Sequence, residues 1–64
     1  MKKILELTEN GSNRKLNVIA DNILYFERLS YNDGTIVTVI TLTNGNPLHV
    51  LESEEIIKEK LSNP

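Results

Sequence analysis

The chain lacks cysteine and tryptophan altogether and has one histidine, one phenylalanine and three glycines among its 64 residues. Without thiols there is no disulfide and no thiolate metal site, and the lone His49 cannot assemble a metal site by itself. Long apolar runs are missing too: nothing approaches the roughly 20 residues that a membrane span requires. The opening MKKILELTENG sets two lysines before apolar residues, but Glu6 and Glu9 break the run short of the roughly 7–15 residues of a signal-peptide core. A cytoplasmic protein is expected. Neither sign of charge dominates, with nine acids against seven bases and a net charge of -2. That balance disfavours a broad phosphate-binding footprint, and the bases are scattered along the chain.

Signatures of catalysis are equally scarce. All three glycines fall in turn dipeptides, so none builds a phosphate cradle, and there is no G-x-S-x-G, no H-E-x-x-H and no nucleophilic cysteine. The acidic cluster ESEE is expected to be a capped, solvated helix start, because acid–base work needs burial or a shaped pocket to move pKa values. A dyad of Asp21 or Glu27 with His49 has no support in the spacing. The chain is therefore read as noncatalytic, with no cofactor.

What is present is a regular alternation of strand-like runs and turns. Asn10-Gly11, Asp33-Gly34 and Asn44-Gly45 are each of the type that accepts positive φ in a tight hairpin. KILELT (3–8) places Leu5 and Leu7 on one side, and KLNVIA (15–20) does the same with Leu16, Val18 and Ala20. ILYFERL (23–29), the β-branched TIVTVITLT (35–43) and the short LHVLE (48–52) follow as a meander. The period then changes. Ser53 suits an N-cap, Glu54 and Glu55 suit the positive end of a helix dipole, and Ile56, Ile57 and Leu61 form an apolar stripe over about 53–62. Glu54 and Lys58 are spaced for an i,i+4 pair. The expected fold is α+β: one domain over 1–64 with a small antiparallel five-stranded sheet or partly closed barrel and one C-terminal helix.

A two-residue turn at Asp33-Gly34 would set Tyr25 near Leu42, Glu27 near Ile40, Arg28 near Val39 and Leu29 near Thr38. One face would then carry Tyr25, Leu29, Ile36, Ile40 and Leu42, the other Leu24, Phe26, Val37 and Val39. Both are apolar. If the helix covers one face, either the first hairpin folds over the second or another subunit does. The loop NGNP is compatible with a two-residue or a four-residue turn, which send Leu48 and Val50 to opposite faces. A core this small usually needs a staple, and oligomerisation is the one left.

ILELTENG, LNVIADNILYFE, TVITLTNG and VLESEEIIKEKL occur in an order that resembles the small flagellar FlbD-like family and similar short proteins of bacteria and their phages. The longer RLSYNDGTIV hairpin departs from that pattern. DNILYFE followed by a hairpin and EEIIKEKL is also similar to part of the LytTR DNA-binding domain, which is longer and basic where it touches DNA. These resemblances imply a small β-rich fold with a C-terminal helix and carry over no catalytic residue.

The expected function is a protein-binding module acting as a homo-oligomer, a bacterial or phage regulator or inhibitor that sequesters a partner. Tyr25, Arg28, Tyr31, Val37 and Val39 are its candidate interface, tyrosines being frequent interface anchors. Two alternatives stand beside it. A LytTR-like nucleic-acid-binding domain would require Lys2, Lys3, Arg14, Lys15 and Arg28 to converge on one face. The other is a small-ligand sponge built at a subunit interface.

Overall fold

The computed structural model of the chain describes residues 2–63. Strand β1 (Ile4–Thr8) pairs antiparallel with β2 (Lys15–Ile19), a short 3-10 turn (Ala20–Asn22) follows, and β3 (Ile23–Ser30), β4 (Ile36–Leu42) and β5 (Pro47–Val50) form an antiparallel three-stranded sheet in that order. Helix α1 (Glu54–Ser62) completes an α+β fold of two sheets and one helix, without closure into a barrel. The sheets meet at one corner. Glu9 bridges to Val50, the Asn10 N–H donates to the His49 carbonyl at 2.9 Å, and the Leu51 N–H donates to the Thr8 carbonyl at 2.9 Å.

Two hairpin turns share one geometry. The Gly34 N–H donates to the Tyr31 carbonyl and the Tyr31 N–H to the Thr35 carbonyl, just as Gly45 donates to Leu42 and Leu42 to Asn46. In each turn the side chain before the glycine, Asp33 or Asn44, accepts from the backbone N–H two residues on, at 2.9 Å. Each loop therefore has three residues, a type I turn followed by a left-handed glycine. A two-residue type I′ turn would require positive φ at Asp33 and Asn44 as well, but only Gly34 (φ 91°) and Gly45 (φ 90°) have it there. The first hairpin differs, closing Glu9 to Arg14 around four residues with Gly11 and Asn13 both at positive φ.

The three-residue turn corrects the expected register by one. Tyr25 pairs with Thr41, Glu27 with Val39, Arg28 with Thr38 and Leu29 with Val37, with a bulge between Ile23 and Tyr25 that adds Leu24. Because side chains alternate with period two, the slip exchanges which half of β3 shares a face with which half of β4. Phe26 and Arg28 lie with Ile40 and Thr38; Tyr25 and Leu29 lie with Thr41 and Val37. The turn at Asn44-Gly45, neither two nor four residues long, sets Leu48 opposite Ile40 and Val50 opposite Thr38.

One core results. Leu5, Leu7 and Val18 from the hairpin, Ile40 and Val50 from the sheet and Ile57 from the helix are buried together, with Leu16, Ile23, Phe26, Leu42, Leu48 and Leu61 packed around them. The hairpin and the helix thus cover the same face of the β3–β4–β5 sheet. So short a chain has enough apolar side chains for a single core, and both satellites are drawn to it.

Helix α1 starts at Ser53, whose Oγ accepts from the Ile56 N–H at 3.2 Å. Its apolar stripe is narrower than expected: Ile57 is fully buried and Leu61, one turn on, packs beside it, whereas Ile56 is 46% exposed. The Glu54–Lys58 pair does not form; the ion pairs among the described residues are Lys2–Asp21 and Arg14–Glu9. The other end of the helix is held from the residue before β1: the Lys3 Nζ donates to the Lys60 carbonyl at 3.2 Å, to the Leu61 carbonyl at 2.8 Å and to the Asn63 carbonyl. These are carbonyls that a helix end leaves without partners, and a cation there also complements the helix dipole.

Candidate protein-interaction surface

The β3–β4–β5 sheet keeps its second face outside the core. Its strands align three residues at a time: Tyr25, Thr41 and Pro47 form one row and Glu27, Val39 and His49 the next. Leu29 and Val37 form a third, with Leu51 immediately after β5. Tyr25 at 55% and Leu29 at 37% are the exposed large apolar side chains of this face, and Leu24 at the bulge and Leu51 just past β5 are exposed beside them at 61% and 45%. Val39 and His49 are half-buried between them, and Val37 is buried although it belongs to no part of the main core. Contiguous exposed apolar side chains of this kind mark contact surfaces, whereas single exposed ones need no explanation.

Of the five candidate interface residues, Tyr25, Val37 and Val39 share this face. Val37 supplies its floor rather than its contact area. Arg28 sits on the opposite face, directly across from Thr38, as the corrected register requires. Tyr31 lies in the β3–β4 turn, 39% exposed. Leu24, Leu29 and Leu51 were missed by sequence reasoning. The bulge that adds Leu24 and the turn length that brings Leu29 beside Val37 carried no signal in residue type alone.

The bases do not converge. Lys2 lies 3.5 Å from the Asp21 carboxylate, Lys3 caps α1, and the Arg14 Nη2 donates to the Glu9 Oε1 at 3.0 Å. Lys15 Nζ donates to the Thr8 Oγ1 at 2.9 Å. Four of the five thus make local contacts, with Lys3 and Lys15 at opposite ends of the first hairpin.

Glu52 was assigned to a solvated helix start, and the structure gives it a different place. Its carboxylate accepts from the Thr8 N–H at 2.8 Å and the Thr8 hydroxyl at 2.9 Å, while its carbonyl accepts from the buried Thr38 hydroxyl at 2.7 Å. Partial burial is the largest single influence on the Glu52 carboxyl and acts to raise its pKa, but the Thr8 and backbone donors with nearby Lys15 outweigh it and hold the group below its ordinary value of 4.5. Glu52 thereby latches the first hairpin to the link between β5 and α1.

No cluster of three or more histidine, cysteine, aspartate or glutamate side chains suited to a metal occurs among the described residues. Nor is any described helix long and apolar enough to cross a membrane. Two shallow grooves of about 200 Å³ are present, one beside the end of α1 along Lys3, Ile4 and Lys60, the other between Arg28, Val37, Leu51 and Glu54. Both are smaller than the roughly 300–1,000 Å³ of ordinary ligand pockets. A comparison with known proteins finds no matching family model, no similar curated protein and no similar solved structure, so the functional reading rests on this chain's own surface.

Proposed function

We propose that the chain is a small noncatalytic protein-binding module of the cytoplasm, acting as a homo-oligomer and using the outer face of the β3–β4–β5 sheet as its contact surface. One observation carries this reading: the hairpin and the helix share a single core on one side of the sheet, so Tyr25 and Leu29 on the other side, with Leu24 and Leu51 at its ends, stay exposed. Interfaces favour aromatic anchors such as Tyr25 within an apolar patch rimmed by polar side chains, here Glu27, Thr41 and His49. A regulator or inhibitor that sequesters a partner would use the same face.

Sedimentation equilibrium over a wide concentration range tests the proposal. The parent chain is expected to self-associate and Leu29→Lys to remain monomeric with an unchanged circular dichroism spectrum. A parent that stays monomeric at millimolar concentration, or a Leu29→Lys variant that associates as the parent does, overturns it.

A further inference from the structure

The middle row of the outer face has a carboxylate at one end and an imidazole at the other. Glu27 on β3 aligns with Val39 on β4, which aligns with His49 on β5. With strands about 4.8 Å apart, Glu27 and His49 are on the order of 10 Å from one another and do not meet within one chain. Neither takes part in the ion pairs of the described residues.

Two identical faces can stack about a two-fold axis in two simple ways. An axis across the strands places each strand over its own counterpart, so Glu27 faces Glu27 of the second copy and repels it. An axis along β4 places β3 of one copy over β5 of the other. Glu27 then faces His49 of the second copy twice, by symmetry. The same operation brings Tyr25 over Pro47 of the second copy, sets Val39 against its own counterpart, and lays Leu29 toward the end of β5, where Leu51 follows. An isologous interface requires this kind of self-complementarity.

Resting on the reading proposed above, we infer that the occupant of the outer face is a second copy of this chain, related by a two-fold axis along β4 and oriented by reciprocal Glu27–His49 pairs. Three strands by about six residues cover on the order of 300 Å² in plane, below the roughly 800 Å² per partner of a standard interface. The dimer is therefore weak and concentration-dependent.

Four variants measured by sedimentation equilibrium, each checked by circular dichroism, decide the matter. Glu27→Lys and His49→Glu are each expected to weaken association roughly tenfold, since each removes both Glu27–His49 pairings and His49→Glu sets carboxylates against one another. The double variant Glu27→Lys/His49→Glu restores the pairing with its charges exchanged and is expected to return to within about threefold of the parent. If the double variant is weaker than either single one, the β3-over-β5 arrangement is wrong, and a Leu29→Lys variant that still abolishes association leaves the outer-face reading intact. Association indifferent to Leu29→Lys overturns both.

Discussion

At Gly34 and Gly45 the backbone sits at φ 91° and 90°, a region L-residues avoid, and a Cβ at either position would meet nothing within 4 Å. Alanine at Gly45 therefore acts through backbone strain alone, and an expected loss of about 1–2 kcal/mol is measurable by urea denaturation. Asparagine there should cost less, because its short polar side chain tolerates the left-handed region. Glu52 is a second single-residue lever. Its carboxyl is held below 4.5 in the folded chain, as Glu9 is by Ser12 and Arg14, while the Thr35 N–H holds Asp33 below 3.8. A carboxylate whose pKa is lower folded than unfolded stabilises fully above the unfolded value and loses that contribution as the pH falls through the folded one. Urea midpoints are thus expected to be level near neutrality and to drop below about pH 4.5, with a shallower drop in Glu52→Gln. A pH profile of Glu52→Gln superimposable on that of the parent would remove the latch.

Among the elements, α1 shows most directly how a short helix depends on what it packs against. Nine residues are too few to hold a helix in water, so the stability of α1 comes from Ile57 and Leu61 on the sheet and from its two end contacts. Ile57→Ala is expected to cost about 2–5 kcal/mol, against less than about 0.5 kcal/mol for the outward Ile56→Ala, although the two residues are adjacent and identical. Denaturation of the two variants side by side checks the assignment of the buried face. Lys3→Met removes the donor that serves the Lys60 and Leu61 carbonyls, and amide exchange in the last turn of α1 is expected to quicken while that of β4 changes little. The β3–β4 hairpin illustrates the converse limit on reading elements from sequence. Asp-Gly and Asn-Gly fit a two-residue type I′ turn and a three-residue type I turn with glycine last equally well in composition, so the strands were legible but their register was not.

On the scale of the whole molecule, a chain of this size has a total stability of roughly 3–10 kcal/mol. Leu7, with no exposed surface, lies at the junction of hairpin, sheet and helix. Leu7→Ala, at about 2–5 kcal/mol, therefore removes a large share of that margin. Thermal unfolding is expected to show one transition at a markedly lower midpoint, since there is no second core to melt separately. If the dimer forms, the parent's midpoint rises with protein concentration and that of Leu29→Lys does not.

Composition and local pattern determined a great deal by themselves: five strands within one or two residues of their observed ends, a helix capped by Ser53, the inward Leu5, Leu7 and Val18, and the lack of disulfide chemistry. These depend on near neighbours, on period-two or helical alternation, and on which residues tolerate turns and caps. Tertiary structure decided the rest. Arg28 left the outer face and Leu29 joined it because one extra residue in a turn reverses the parity of a strand, and parity registers only once two strands are hydrogen-bonded. Hairpin and helix chose the same side of the sheet because burying apolar area in one place outweighs sharing it between two, a balance that involves the whole chain at once.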